Sequence, residues 1–204
     1  AAGTLVTVAC ALLVAYTGRL SVGRTGRAVA IVASLGYAVP GTVLAIGLLP
    51  IVTGADRWLG AMLGAIGATT TGLLLLGSGA AVVYAYLVRF LALGVGGIDA
   101  GLARVPPSVD AAARTLGHGA ARRLWRVHLP MIRPAVITAA LLVFVDCMKE
   151  LPATLLLRPL GVETLATHLY GEAIRGTYED GAIAAVLIIA AGLAPVAALA
   201  RRLR

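Results

Sequence analysis

Several apolar stretches in this chain approach or exceed the roughly 20 residues a helix needs to cross a bilayer core, and no other feature constrains its fold as tightly. They are Ala1–Tyr16, Ala28–Val52, Gly72–Val95, Pro134–Leu151 and Ala182–Leu199. No water reaches that core, so each stretch must satisfy its backbone amides and carbonyls internally, as a helix does. The expected fold is all-α: a polytopic transmembrane helix bundle of about five spans, forming one domain over residues 1–204. Composition agrees, since only 13% of residues are charged where an ordinary soluble domain has about a quarter. No basic n-region precedes Ala1–Tyr16, so that run is not read as a signal peptide. It is read as the tail of a span that starts outside this chain, which makes the sequence a fragment.

The charges set an orientation. The net charge is +8; sixteen of the basic residues are arginine, and Lys149 is the sole lysine. Arg19, Arg24 and Arg27 fall between the first two spans. Arg104, Arg114, Arg122, Arg123, Arg126 and Arg133 crowd the stretch Asp99–Arg133. Arg201, Arg202 and Arg204 follow the last span. By the positive-inside rule these three regions are cytoplasmic. Pro152–Gly181, with Glu163, Glu172, Glu179 and Asp180, is the extracytoplasmic loop. No basic stretch is interleaved with aromatics, so the arginines indicate topology and membrane lipid rather than nucleic acid. The stretch Trp58–Leu76 is apolar enough for a further span, which would reverse the parity upstream. It is therefore read as a re-entrant or interfacial extension, with a weak Gly60/Gly64 packing signal.

The cytoplasmic loop carries a pattern. Pro106-Pro107-Ser108 is a helix start, with Ser108 as the expected cap and Asp110 facing the positive end of the helix dipole. Gly117 is placed to end that helix in the left-handed conformation. A second short helix, about Gly119–Val127, is expected to stop at Leu129-Pro130, with Pro134 opening the next span. Such an elbow between two spans can act as a rigid lever, or it can be a basic loop that only fixes orientation.

The run Ala111-Ala112-Ala113, then Gly117, then Val127-x-Leu129-Pro130 resembles the EAA loop of ABC-importer permeases. In that family the loop is the coupling helix, which docks on a cytoplasmic ATP-binding subunit. The resemblance thus implies docking residues at Asp110, Ala111, Ala112, Ala113, Gly117, Leu129 and Pro130. Ala111 stands where the pattern has an acid, and Asp110 next door can take its place. Tyr37–Ala45, Ala85–Leu91 and Phe144–Pro159 are similar to the ferric-iron importer branch, so that the chain looks like a C-terminal half. The resemblance implies an extracytoplasmic solute-binding protein, a second permease half or subunit, and a prokaryotic cell inner membrane. Ferric iron is the expected cargo; thiamine, polyamine, sulfate and phosphonate are carried by related permeases. A secondary transporter or channel without an ATPase is the competing class, and a purely structural membrane subunit the third.

No P-loop, nucleophile–base pair or metal-ligand cluster is legible, and Cys10 and Cys147 form no ligand spacing. ATP hydrolysis is therefore expected on a separate subunit, with no cofactor here. His118, His128 and His168 are read as loop histidines. Asp146, Lys149 and Glu150 fall on one helix face by their spacing of three and four. They are read either as an ion-pair cluster closing a helix end or as a substrate-path constriction of net charge −1. Pro40-Gly41 breaks its span where a pathway or a packing kink would lie. The outer stretch Thr164–Arg175 reads as a short amphipathic helix on the surface, placed to meet a binding protein.

Overall fold

The computed structural model describes residues 1–20, 24–67 and 72–202, with the backbone alone at 24–27, 30, 195, 196 and 198–202. The side chains of Arg24, Arg27, Arg201, Arg202 and Arg204, used above for topology, lie outside the described residues. Eleven α-helices follow in order: α1 Ala2–Leu20, α2 Arg24–Ala38, α3 Gly41–Ala65, α4 Leu74–Ser78, α5 Ala80–Leu102, α6 Pro107–Thr115, α7 Ala120–Arg123, α8 Leu129–Lys149, α9 Pro152–Leu157, α10 Leu165–Arg175 and α11 Tyr178–Arg202. A π-helical turn, Leu124–His128, joins α7 to α8. No strand occurs among the described residues. Four helical stretches are long and apolar enough to cross a membrane: α1, α3, α5 and Ala120–Lys149. With the 25-residue α11 the bundle has about five spans.

Helix α5 is the central column. Small residues let its neighbours close in: a Cβ on Gly94 would meet Ala11 of α1, and Cβ atoms on Gly97 and Gly101 would meet Ala139 and Ala135 of α8. Gly36 brings α2 so near α5 that a Cβ there would lie 1.9 Å from the Val88 carbonyl oxygen. Two apolar cores result. One joins Ala11, Ala15, Ile98, Leu102, Leu124, Ile132 and Ala139 around the C-terminal half of α5. The other joins Leu44, Ala45, Leu48, Ala81, Ala85, Ala153 and Leu157 around its opposite half.

The proline-broken span is two helices, α2 and α3, with the break at Val39-Pro40. Helix α3 then runs on to Ala65, so Trp58–Ala65 belongs to it. The chain comes back at α4, whose Leu75 and Leu76 amides donate to the Asp56 carboxylate at 2.7 and 3.2 Å. Asp56 of α3 and the start of α4 are thereby held together at one end of the bundle. Gly64 has no neighbour within 4 Å, so the Gly60/Gly64 packing signal finds no partner helix at Gly64.

Two expectations about the elbow are corrected. Ser108 is not the cap: α6 starts one residue earlier, after Pro106, with Pro107 first and no side-chain cap bond. The missing proline amide would be unpaired at that position anyway. Nor does Leu129-Pro130 end a helix, because the backbone runs through α7 and the π turn into α8. There the Leu129 amide donates to Leu124, five residues back. That wider turn changes the hydrogen-bond register just where Pro130 has no amide to give.

Candidate functional site

The elbow is built by backbone rules and fastened by charge. Gly117 has φ +76°, and the amides of Gly117 and His118 donate to the Arg114 and Ala113 carbonyls. This is a Schellman stop, which closes α6 and turns the chain. The Asp110 carboxylate, in the first turn of α6, faces inward. It accepts from Arg19 Nη2 at 2.8 Å and Nε at 3.1 Å, and from Arg123 Nη1 at 3.4 Å. His128 Nε2 lies 3.0 Å from the same carboxylate, near enough for attraction but misaligned for a hydrogen bond. Arg19 also donates to the carbonyls of Leu102, the last residue of α5, and of Val105 just past it. Tyr16 donates to the Ala120 carbonyl at 2.9 Å and packs on the His128 ring.

Burial pushes the Asp110 carboxyl up, but the Arg19 hydrogen bonds, His128 and both arginine charges outweigh it and hold it below the ordinary 3.8. The elbow is thereby tied at once to the end of α1, to the end of α5 and to the π turn that leads into α8. His128 is completely buried, which corrects the loop reading of this residue. Among the docking residues expected from sequence, Ala111, Ala112 and Gly117 are exposed on the elbow, while Ala113 is buried and Asp110 half-buried. Leu116, 75% exposed, adds an apolar tip to that face. Leu129 and Pro130 lie beyond it, in α8.

The second cluster sits at the helix break. Asp146 and Lys149 pair at 2.7 Å within α8, as their spacing requires. Glu150 does not share their face, because the backbone leaves the helix there and takes an extended conformation. Its carboxylate turns to Arg89 of α5, with Arg89 Nε 2.9 Å from Oε2, and its Oε1 accepts from the Ala153 amide that opens α9. Arg89 Nη1 donates to the Val39 carbonyl at the end of α2, 2.8 Å away. A Cβ on Gly41 would meet Glu150 Oε1 at 2.7 Å, so a larger residue where α3 begins would push the carboxylate off its place. The sequence reading missed Arg89 as a member. Counting it, the two acids face two bases, and the expected net charge of −1 disappears.

Helix α10, Leu165–Arg175, forms where a short helix is expected. Thr164 and Thr167 form a reciprocal cap, and Gly176 at φ +78° ends it. Glu172 bonds to Thr177 Oγ1 and Arg175, which together hold its carboxyl below the ordinary range. Among the described residues, no group of three or more His, Cys, Asp or Glu is placed to hold a metal ion.

A glycine-stopped elbow fastened to one end of a bundle of membrane-length helices describes a polytopic membrane protein. Residues 7–204 match the family of binding-protein-dependent transport system inner membrane components, and the chain belongs to that family. Over 109 residues it is 31% identical to the 2-aminoethylphosphonate transport system permease protein PhnV of Salmonella paratyphi A, covering 53% of this chain and 41% of PhnV. It is 22% identical over 142 residues to the ferric transport system permease protein FbpB of Actinobacillus pleuropneumoniae, covering 70% of this chain and 18% of FbpB. The chain therefore matches less than half the length of these curated relatives. Its fold is similar to a chain of a bacterial alginate ABC transporter solved with an alginate pentasaccharide-bound periplasmic protein. The TM-score is 0.68 at 14% identity, covering 95% of this chain and 73% of that one.

Proposed function

We propose that this chain is the transmembrane subunit, or half-subunit, of an ATP-driven, binding-protein-dependent ABC importer in the inner membrane. The observation that carries this reading is the Asp110 cluster, which fastens the elbow to α1 and α8 instead of leaving it a solvated loop. A force on the exposed face of Ala111, Ala112, Leu116 and Gly117 is passed to two spans. A loop that only set orientation would need no such fastening.

In this reading the cytoplasmic ATP-binding subunit docks on that face and carries the hydrolysis. An extracytoplasmic solute-binding protein delivers cargo on the side of α10, and a second permease half or subunit completes the pathway. Pro40, Gly41 and Glu150 form the pathway junction, with the Asp146–Lys149 pair beside it. ATP-driven closure of the partner shifts the bundle between two global states through differential contacts. For the cargo, ferric iron follows from the motif resemblance and is supported by FbpB. A phosphonate is the second reading, favoured by the higher identity to PhnV and by the balanced charge at the junction.

The test is co-purification of the complete transporter with its ATP-binding subunit, parent against Gly117→Trp. Gly117 has open space around it, so the tryptophan projects from the docking face. Capture by the parent that the variant loses at equal membrane expression supports the reading. A parent that captures no nucleotide-hydrolysing subunit returns the chain to the uncoupled transporters.

A further inference from the structure

Two chain breaks lie at the same level of α5, and one arginine touches both. The first is Val39-Pro40, between α2 and α3; the second is Glu150-Leu151, between α8 and α9. Arg89 donates to the Val39 carbonyl and faces the Glu150 carboxylate. That carboxylate in turn touches the starts of α3 and α9, at Gly41 and the Ala153 amide. Arg89 also sits where the two apolar cores divide, since Val88 packs on one and Leu91 on the other. Among the described residues it makes the only ion pair between two spans.

The other end of α8 is the elbow. Residues Ala120–Lys149 form one helical stretch of 30 residues, with His128 in the Asp110 cluster and Glu150 just past its far end. At 1.5 Å per residue the stretch is about 45 Å long, with the π turn and the prolines confined to the half nearest the elbow. A displacement applied at the elbow therefore arrives at Glu150, where the backbone is free to bend.

Resting on the permease reading above, we propose that Arg89 is a positioning residue for transport. Through Glu150 and the Val39 carbonyl it pins the two helix joints together. Movement of α8 by the elbow then shifts Glu150 against Gly41 and opens or closes the junction. A packing kink at Pro40 would need no such pin, because the carbonyls it frees could be satisfied without an ion pair. An unpaired charge at this depth is costly, so the pair holds the joint in discrete arrangements rather than a continuum.

The experiment uses the complete transporter in proteoliposomes, with its ATP-binding subunit and binding protein. Glu150→Gln, Arg89→Lys and the exchange of Arg89→Glu with Glu150→Arg are compared with the parent. Two quantities are read: ATP hydrolysed per labelled ferric iron or labelled 2-aminoethylphosphonate moved, and maleimide labelling of Cys147 against Cys10. Cys147 is buried against Tyr86 and Phe90, one turn before Glu150, whereas Cys10 lies on α1.

In Glu150→Gln hydrolysis persists while uptake drops by about tenfold, and Cys147 labelling speeds up and stops responding to ATP, with Cys10 unchanged. The exchange variant restores the ion pair but has no donor for the Val39 carbonyl, so it slows Cys147 labelling only part of the way back and regains little of the ATP response. Parental coupling and labelling in Glu150→Gln overturn the proposal. So does a parallel rise at both cysteines, which marks general loosening. Arg89→Lys keeps the charge but not the two-armed reach, and it is read if the other variants fail to assemble. Parental coupling in that variant also overturns the proposal. A parent that moves no cargo refutes the permease reading instead, and the Cys147 contrast still decides the pin.

Discussion

Asp110 and Arg19 lie 91 positions apart in the chain, and two nitrogens of the arginine reach one carboxylate oxygen at 2.8 and 3.1 Å. The same arginine donates to carbonyls at the last residue of α5 and just past it. One side chain of α1 thus holds the elbow to the end of the central column, and the inward turn of Asp110 leaves the alanine face of α6 free for a partner.

Replacing Asp110 with asparagine keeps the shape but removes the charge that Arg19 and Arg123 share. Charge-assisted hydrogen bonds contribute about 2 kcal/mol, so the variant should unfold earlier in detergent by roughly that amount. Its ATP-driven uptake should fall further than its capture of the ATP-binding subunit, because the docking face survives. Thermal unfolding and vesicle uptake check the two halves.

The pH dependence of that contribution has a definite sign. Asp110 is held below its ordinary 3.8, so its stabilisation is fully present above that value and is lost as pH falls through the depressed folded value. The stability gap between parent and Asp110→Asn should therefore be flat from neutral pH down to the ordinary carboxylate range. It should close only below that range, as melting curves across a pH series will show.

Gly36 and Gly47 form a matched pair. A Cβ on Gly36 would strike the Val88 carbonyl at 1.9 Å, whereas Gly47 has no neighbour within 4 Å. Gly36→Ala must push α2 off α5 and should destabilise by about 1–3 kcal/mol, as overpacked sites do. Gly47→Ala should be neutral or stabilise by up to about 1 kcal/mol through helix propensity. Thermal unfolding of the two single variants separates these outcomes.

Thr164→Ala removes the half of the reciprocal cap in which Thr164 Oγ1 accepts from the Thr167 amide, and leaves the Thr164 amide donating to Thr167 Oγ1. The loss should weaken that helix by about 1 kcal/mol and leave the bundle intact. Hydrogen exchange should accelerate in the first turn of α10 alone.

The spans were legible because hydrocarbon forces a periodic, uncharged stretch into a helix, and the elbow because Pro107 and Gly117 each impose one backbone geometry. What the sequence hid is long-range. Arg89 reads as a lone charge near one end of an apolar run, and nothing local says that its partner is Glu150, 61 positions on. Glu150 in turn reads as sharing a face with Asp146, and only the exit of the backbone at that residue sends it elsewhere. His128 passes for a loop residue when Leu129-Pro130 is taken as a helix stop. The π turn that lets the helix run through the proline has no signature in residue type.

If the elbow couples ATP hydrolysis to cargo movement, vesicles holding the complete transporter, offered labelled ferric iron and labelled 2-aminoethylphosphonate separately, will show it in their uptake. ATP-dependent accumulation of one of them by the parent, abolished in Gly117→Trp at equal expression, is the predicted result. Accumulation of either that persists without ATP, or that Gly117→Trp leaves unchanged, would contradict it.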